Sequence, residues 1–187
     1  MIIRHQGLEP ISIYDEHLNL DSKLNLGCGR RTLPGFVNLD MIDGDGVNVV
    51  HDIEKAPLPF DDNTFDFIFM KSILEHMPHR VDRVRGEFMY DLVNDLIRIS
   101  KDGARWESQH PCNPLALAAT DHPRIIGPAT FDPWTSDYSS LEATKLPVGR
   151  LKIVSKVNIR RWKADFSFGR TIAYRMVLEV EKFSKAV

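Results

Sequence analysis

The chain has 187 residues and a formal net charge of −2, with 43% hydrophobic and 27% charged residues. This composition is ordinary for a water-soluble domain with one buried core. No apolar run approaches the ~20 residues of a membrane-spanning helix, and residues 1–6 lack the hydrophobic stretch of a signal peptide. Two cysteines are too few for a disulfide framework or a thiolate zinc site. We therefore expect one soluble, cytoplasmic domain with no membrane partner.

Charge is distributed unevenly along the chain. Residues 1–70 contain five basic and twelve acidic residues, whereas residues 145–187 contain eleven basic and three acidic ones. Two interpretations are open: the basic tail meets an anionic substrate or partner, or its lysines and arginines protect edge strands from aggregation. No basic patch with interleaved aromatic residues is evident, so we expect no nucleic-acid partner.

Short apolar runs and one amphipathic stretch predict an α/β fold. The predicted strands are, in chain order, residues 23–26, 36–40, 47–51, 65–70 and 104–110. Apolar residues at helical spacing predict a helix over residues 87–100, and a further helix is expected around residues 139–145. Alternating apolar residues over 151–180 predict a long antiparallel hairpin. The pattern indicates a mostly parallel sheet that ends in an antiparallel pair.

Two glycines and a carboxylate stand at adjacent strand exits. Gly27 and Gly29 follow the first predicted strand, and Asp40 ends the second. In a parallel sheet a ligand binds beyond the carboxyl ends of the strands, and a carboxylate there is placed to accept both hydroxyls of a ribose. Glycine lets the backbone approach the ligand closely because it has no Cβ. The pattern indicates a ribose-containing ligand at this edge; the alternative is an aspartate that ends its strand in a solvated turn.

Further motifs follow in a fixed order. They are residues 38–40, 51–53, 58–66, 73–76 and 101–103. Together with the Gly27–Cys28–Gly29 loop, they resemble class I S-adenosylmethionine-dependent methyltransferases, in the short branch that reads Leu-Asn-Leu-Gly-Cys-Gly. The resemblance runs from about Leu24 to Asp132 and implies a Rossmann-like fold with S-adenosylmethionine as cofactor. We divide the single domain into a strap (1–22), a cofactor-binding core (23–110), a substrate lid (111–147) and a C-terminal hairpin (148–187).

The resemblance implies which residues would hold the cofactor. These are Asn25, Gly27, Cys28, Gly29, Asp40, Met41, Asp52, Ile53, Lys71 and Ser72. The glycine loop would pass under the methionine part, and Lys71 and Ser72 would line that end by backbone contact.

The other members of this set would hold the adenosine part. Asp40 would accept from the ribose hydroxyls, and Met41 would lie against the adenine face. Asp52 would accept from the adenine amine, while the Ile53 N–H would donate to the ring.

Two features depart from the pattern of the family. Asn25 stands where the family has an acidic residue, and a neutral amide is a weaker acceptor for the cofactor's amino group. The connections on either side of the second strand are too short for crossover helices, which need about a dozen residues. The strands also alternate polar and apolar residues, which predicts reduced helix cover and a lightly covered, polar face on one side of the sheet. We expect the N-terminal segment or a second subunit, in a homodimer, to cover it.

Three histidines follow strands at the predicted ligand edge. Methyl transfer needs a positioned acceptor that loses a proton, and histidine is the usual base near neutral pH. We select His76 and His110 as catalytic candidates, with His122 less favoured; each has a purely structural role as its alternative. Glu75, next to His76, either orients an imidazole ring or serves as a loop carboxylate.

The pair Glu75–His76 is also similar to the metal-dependent O-methyltransferases of ubiquinone biosynthesis. Those enzymes carry another Glu three positions earlier, where this chain has Ser72. We therefore predict no metal site.

Three classes of function are open. The leading hypothesis is a methyltransferase acting on O, N or C of a small molecule. The alternatives are a cyclase or lyase that uses S-adenosylmethionine on the same fold, and a degenerate, non-catalytic partner subunit, because fold alone does not fix function.

Overall fold

The structure is a computed structural model that describes residues 22–78, 81–82, 86–111, 123, 126–135, 149–160 and 171–182. Its strands are β1 (Lys23–Leu26), β2 (Val37–Asp40), β3 (Val49–Val50), β4 (Phe65–Lys71), β5 (Val81–Asp82), β6 (Gly86–Glu87), β7 (Ser100–Pro111), β8 (Gly149–Arg160) and β9 (Thr171–Lys182). Its α-helices are α1 (Phe88–Ile99) and α2 (Asp132–Thr135), with 3₁₀ turns at Leu74–His76 and Pro128–Phe131.

Seven strands form one sheet in the order β3-β2-β1-β4-β7-β9-β8, and β5 pairs with β6 separately. The strands β3, β2, β1, β4 and β7 run parallel to one another. β9 pairs antiparallel with both β7 and β8. The predicted α/β class, with a mostly parallel sheet and an antiparallel C-terminal hairpin, is confirmed.

The main core lies between α1 and one face of the sheet. The apolar stripe of α1 is buried, as its helical spacing predicts, through Met89, Leu92, Val93, Leu96, Ile97 and Ile99. It belongs to the same cluster as Leu24, Ile68 and Trp106 of the central strands. The indole N–H of Trp106 donates to Ser100 Oγ (2.9 Å), and that hydroxyl donates to the Leu96 carbonyl (2.8 Å). The buried indole N–H of Trp106 and the buried hydroxyl of Ser100 therefore both have hydrogen-bond partners.

The opposite face has little helix cover, as predicted. Residues 27–36 and 41–48, which connect β1 to β2 and β2 to β3, contain no helix. At the centre of this face Phe67, Glu107 and Gln109 are at most 4% exposed within a single chain, while cover by the N-terminal segment stays a prediction. A second subunit has no access to these side chains, so the expected homodimer contact cannot use this part of the face.

Several predicted segments lie largely or wholly outside the described residues. Of the strap, only Ser22 is described; its N–H donates to Asp66 Oδ2 (3.2 Å). The predicted helix at 139–145 and the candidate His122 fall outside, and the lid over 111–147 is described only in part.

Arg98 joins α1 to the loop that precedes β4. Its guanidinium pairs with Asp95 on the same helix and with Asp62 in the loop (2.9 Å). It also donates to the carbonyls of Phe60 (2.8 Å) and Leu58 (3.1 Å). The hydrogen bond to Asp95 is the main cause that raises the pKa of Arg98, so the side chain stays charged. The planar guanidinium of Arg98 thus holds the loop before β4 against α1.

We predict that Arg98→Ala lowers the free energy of unfolding by about 1–3 kcal/mol, because several charge-assisted hydrogen bonds are lost at once. Arg98→Lys should recover only part of this, since an ammonium cannot span the same acceptors. Urea denaturation measures both. The control is Lys152→Ala at an exposed position of β8, which should change the free energy by no more than about 0.5 kcal/mol. Equal effects of Arg98→Ala and the control would contradict the assignment.

Candidate functional site

The carboxyl ends of β1, β2, β4 and β7 meet at one edge of the sheet, and the glycine loop lies there. Gly27 has φ +64°, and a Cβ at this position would stand 2.5 Å from the Ile73 side chain. Gly29 also has a positive φ, of +52°. Position 27 therefore requires glycine for two reasons: its backbone is left-handed, and the loop after β4 approaches it closely.

Asp40 fastens the glycine loop to the end of β2. Its Oδ2 accepts from the N–H of Gly29 (2.7 Å) and its Oδ1 from the N–H of Ile42 (3.0 Å). The N–H of Cys28 donates to the Leu39 carbonyl (3.0 Å). A carboxylate oxygen has two lone pairs, and Asp40 is only partly buried. The side chain therefore keeps acceptor capacity for a ligand while it shapes the loop.

Asp52 follows the end of β3. Its Oδ1 accepts from the Glu54 N–H (3.0 Å), and its Oδ2 lies 3.4 Å from Lys55 Nζ. These contacts form a local turn of the kind that aspartate favours. Ile53 is buried, whereas Met41 is 64% exposed beside Asp40. An apolar side chain is thus available next to the carboxylates.

Asn25 organises the loop after β1. Its amide donates one hydrogen to the Arg31 carbonyl (2.8 Å) and the other to Asn38 Oδ1 (2.9 Å). Asn38 in turn accepts from the Leu33 N–H (2.8 Å) and donates to Asn48 Oδ1 (3.2 Å). Both amide hydrogens of Asn25 are used, so only its oxygen is left for a ligand. This asparagine network takes the place of a helix.

A cavity of about 660 Å³ opens beside the glycine loop. It is lined by Asn25, residues 27–33, Phe69, Lys71 and Ser72. Six of the ten predicted cofactor residues line it, whereas Asp40, Met41, Asp52 and Ile53 do not. Sequence reasoning missed Arg30 and Arg31, whose position directly after the glycine loop was the available signal. With Lys71, they give the cavity a basic wall.

Ser72 lines the cavity directly after the end of β4. It has φ +51°, an unusual value for a residue other than glycine. Its N–H donates to the Gln109 carbonyl (2.9 Å) of β7. This bond joins the loop after β4 to the last residues of β7.

That loop brings Glu75 to His110. Glu75 Oε2 lies 2.8 Å from His110 Nδ1, and both side chains are at most 1% exposed. Burial raises the pKa of Glu75, but the hydrogen bond and charge of His110, together with a backbone hydrogen bond and the charge of His76, hold the pKa below its usual value. The structure thus pairs Glu75 with His110, which is 35 residues away, while His76 is half-buried in the same 3₁₀ turn.

Three buried polar atoms in this region have no hydrogen-bond partner among the described residues. They are Glu75 Oε1, His110 Nε2 and Ser108 Oγ. Within the described part of the chain, no group of three or more His, Cys, Asp or Glu is placed to hold a metal ion.

Cys28 lies in the glycine loop and is buried. Burial, and next the negative charge of Asp40, raise the pKa of its thiol. A protonated thiol is a poor nucleophile. The position of Cys28 therefore suits a small residue that lines the cavity better than a reactive nucleophile.

No protein-family profile matches the sequence, and no curated protein matches it. Solved structures do. A putative methyltransferase from Haloferax volcanii, in complex with the Trm112 methyltransferase activator, is 15% identical with a TM-score of 0.54, over 87% of this chain and 83% of that chain. A SAM-dependent methyltransferase from Archaeoglobus fulgidus is 14% identical with a TM-score of 0.54, over 86% of both chains.

The N-methyltransferase NodS from Bradyrhizobium japonicum WM9, in complex with S-adenosyl-L-homocysteine, is 12% identical with a TM-score of 0.55, over 86% of this chain and 78% of that chain. At these identities the likeness is one of fold. The chain has the Rossmann-like fold of S-adenosylmethionine-dependent methyltransferases. No helix among the described residues is long and apolar enough to cross a membrane.

We predict that Gly27→Ala lowers the free energy of unfolding by about 2–4 kcal/mol, since it adds a steric clash to the cost of a left-handed backbone. The matched control is Gly35→Ala, where φ is +76° and no atom lies within 4 Å of the added Cβ. It should show only the backbone cost of about 1–2 kcal/mol. Thermal and urea unfolding measure the difference, and equal losses would contradict the close contact with Ile73.

For Cys28 we predict slow alkylation by iodoacetamide at neutral pH. Asp40→Asn should shift the alkylation midpoint to lower pH, because it removes a charge that raises the pKa of the thiol. Peptide-resolved mass spectrometry gives the rate for Cys28, with the Cys112 peptide of the same sample as internal reference and Asp43→Asn as the control variant. A changed limiting rate with an unchanged midpoint would show loosening of the loop instead.

Proposed function

We propose that this protein binds S-adenosylmethionine and transfers its methyl group to a small-molecule acceptor. The observation that carries the proposal is the glycine loop, fastened by Asp40 and facing a cavity of about 660 Å³ at the carboxyl edge of the sheet. Ligands of parallel α/β sheets bind at this edge. The fold shared with methyltransferases agrees with this location.

The residues present fit the cofactor. The partly exposed Asp40 has lone pairs left for ribose hydroxyls, and exposed Met41 offers an apolar surface for adenine. Ile73 leaves no room for a side chain at Gly27. The methionine part of the cofactor therefore approaches the backbone directly at this position. The basic wall with Arg30 and Arg31 suits the cofactor's carboxylate, and the Asn25 oxygen suits its amino group. When bound, the cofactor supplies an electrophilic methyl group on a sulfonium.

A small acceptor is favoured by the burial of the catalytic candidate His110, which is 1% exposed. A base this deeply buried is reached by a compact molecule more easily than by a residue of a folded protein. His110 is the second-to-last residue of β7. It lies next to Gln109, which is hydrogen-bonded to the cavity-lining loop after β4. We assign it the role of base. His76 is the second candidate, in the turn that also carries Glu75.

A cyclase or lyase site would need unsatisfied polar residues, and β7 is the polar strand of the sheet. In the structure Glu107 accepts from Gln109 (2.9 Å) and forms a buried ion pair with Arg175. These groups satisfy one another on the face opposite α1, so they give that alternative no specific support.

We predict that the protein binds S-adenosylmethionine and S-adenosylhomocysteine, and that Asp40→Ala weakens both about 10–100-fold. Loss of charge-assisted hydrogen bonds of about 1.5–3 kcal/mol has this effect. Isothermal titration calorimetry measures it, with a thermal melt of each variant to show that it is folded. The matched control is Asp43→Ala, at an exposed position three residues after Asp40 in the β2–β3 connection.

Failure of folded wild-type protein to bind either compound would overturn the proposal. Binding that Asp40→Ala and Asp43→Ala reduce equally would leave the cofactor but contradict the role of Asp40.

A further inference from the structure

The pair formed by Glu75 and His110 has a defined protonation pattern. The lowered pKa of Glu75 means that the carboxyl is ionised near neutral pH. An ionised carboxylate only accepts hydrogen bonds, so at the 2.8 Å contact His110 Nδ1 must carry the proton and donate it. Neutral His110 then has its lone pair on Nε2, the atom without a partner among the described residues.

Two more buried polar atoms without a partner among the described residues, Ser108 Oγ and Glu75 Oε1, belong to the same region. Ser108 and His110 are two residues apart on β7, so their side chains leave the same face of the strand, roughly 7 Å apart along it. Glu75 Oε1 is the third. A buried polar atom without a hydrogen bond destabilises the folded protein. Three such atoms on neighbouring residues indicate a place where a polar ligand supplies the missing hydrogen bonds.

We propose that Glu75, His110 and Ser108 form the acceptor subsite and that it takes a hydroxyl compound, with His110 as general base and Glu75 as its positioning residue. The inference rests on the proposed function and narrows it to O-methylation. The acceptor O–H donates to His110 Nε2, and the Ser108 hydroxyl, which has no partner among the described residues, bonds the same oxygen.

The step balances without any further reagent. The hydroxyl proton passes to Nε2 as the acceptor oxygen bonds to the methyl carbon. The carbon–sulfur bond of the sulfonium breaks, and its electron pair stays on sulfur, which leaves the neutral thioether. The imidazolium that results is stabilised by the Glu75 carboxylate. A hydroxyl needs this proton removal to become a good nucleophile, whereas a neutral amine already carries a free lone pair.

The first test is the protonation of His110 in the unliganded protein, by nitrogen-15 NMR of the imidazole. Assignments come from His76→Asn and His110→Asn. Neutral His110 should carry its proton on Nδ1, and Glu75→Gln should raise the fraction of the tautomer with the proton on Nε2, because the variant lacks the carboxylate that accepts from Nδ1–H. Other described groups facing this pair are His76, whose charge acts on Glu75, and the uncharged Met70 and Met176 beside Ser108. A proton on Nε2 in the wild type, or no change in Glu75→Gln, would overturn the positioning role.

The second test does not depend on whether a Glu75 variant folds. Ser108→Ala removes a hydroxyl without a partner among the described residues, so the melting temperature should stay unchanged or rise. Ser100→Ala is the matched control on the same strand: that hydroxyl is equally buried but bonds to Leu96 and Trp106, so its loss should lower the melting temperature by several degrees. Equal destabilisation would show that Ser108 has a structural partner and would overturn the subsite.

A third test probes the ligand chemistry, with phenol and toluene as probes of the same size with and without a hydroxyl. With the protein saturated by S-adenosylhomocysteine, phenol should shift the His110 Nε2 resonance and toluene should not. Equal shifts, or none, would overturn the hydroxyl subsite. If S-adenosylhomocysteine does not bind, the proposed function fails, while the first two tests still decide the roles of Glu75 and Ser108.

Discussion

The length of the connections around β2 is the constraint on which the rest of the site depends. Residues 27–36 and 41–48 are too few to carry a crossover helix back along the sheet. The polar groups that a helix would cover are instead satisfied by side-chain amides, through Asn25, Asn38 and Asn48. Because these amides fix the loop after β1, the glycine loop and Asp40 keep the geometry of a ligand-binding edge. The same shortness leaves Arg30 and Arg31 at the wall of the cavity rather than inside a helix.

Much of the fold was predictable because its signals are local. Short apolar runs predicted β1 and β4, and alternating apolar residues predicted β8 and β9, all close to their observed positions. The helical spacing over 87–100 matched α1 at Phe88–Ile99 to within one residue at each end. β3 is shorter than expected, at Val49–Val50, since an edge strand bonds on one side only. β7 begins earlier, at Ser100, because it pairs with Phe65 across an irregularity of register that sequence periodicity does not reveal.

The site was less predictable because its contacts are distant in sequence. Glu75 was expected to act, if at all, beside its neighbour His76, yet it bonds to His110. That pairing depends on how the loop after β4 is fastened to Gln109, which no short motif encodes. Asn25 was assigned from the family pattern to the cofactor's amino group, but both its amide hydrogens hold the protein's own loop. Its ligand role stays a prediction that involves the oxygen alone.

The buried polar side chains of β7 fall into two groups: those with hydrogen-bond partners among the described residues and those with unpartnered atoms. On one face Glu107 is buried, but Gln109 and Arg175 satisfy it, so its presence is explained by the protein's own contacts. On the other face Ser100 is equally satisfied, by Leu96 and Trp106. Ser108 and His110, farther along this face towards the carboxyl edge, have atoms without partners among the described residues. The same strand thus gives its structural polar groups partners elsewhere, and the atoms without described partners at its carboxyl end are the observation on which the proposed acceptor subsite depends.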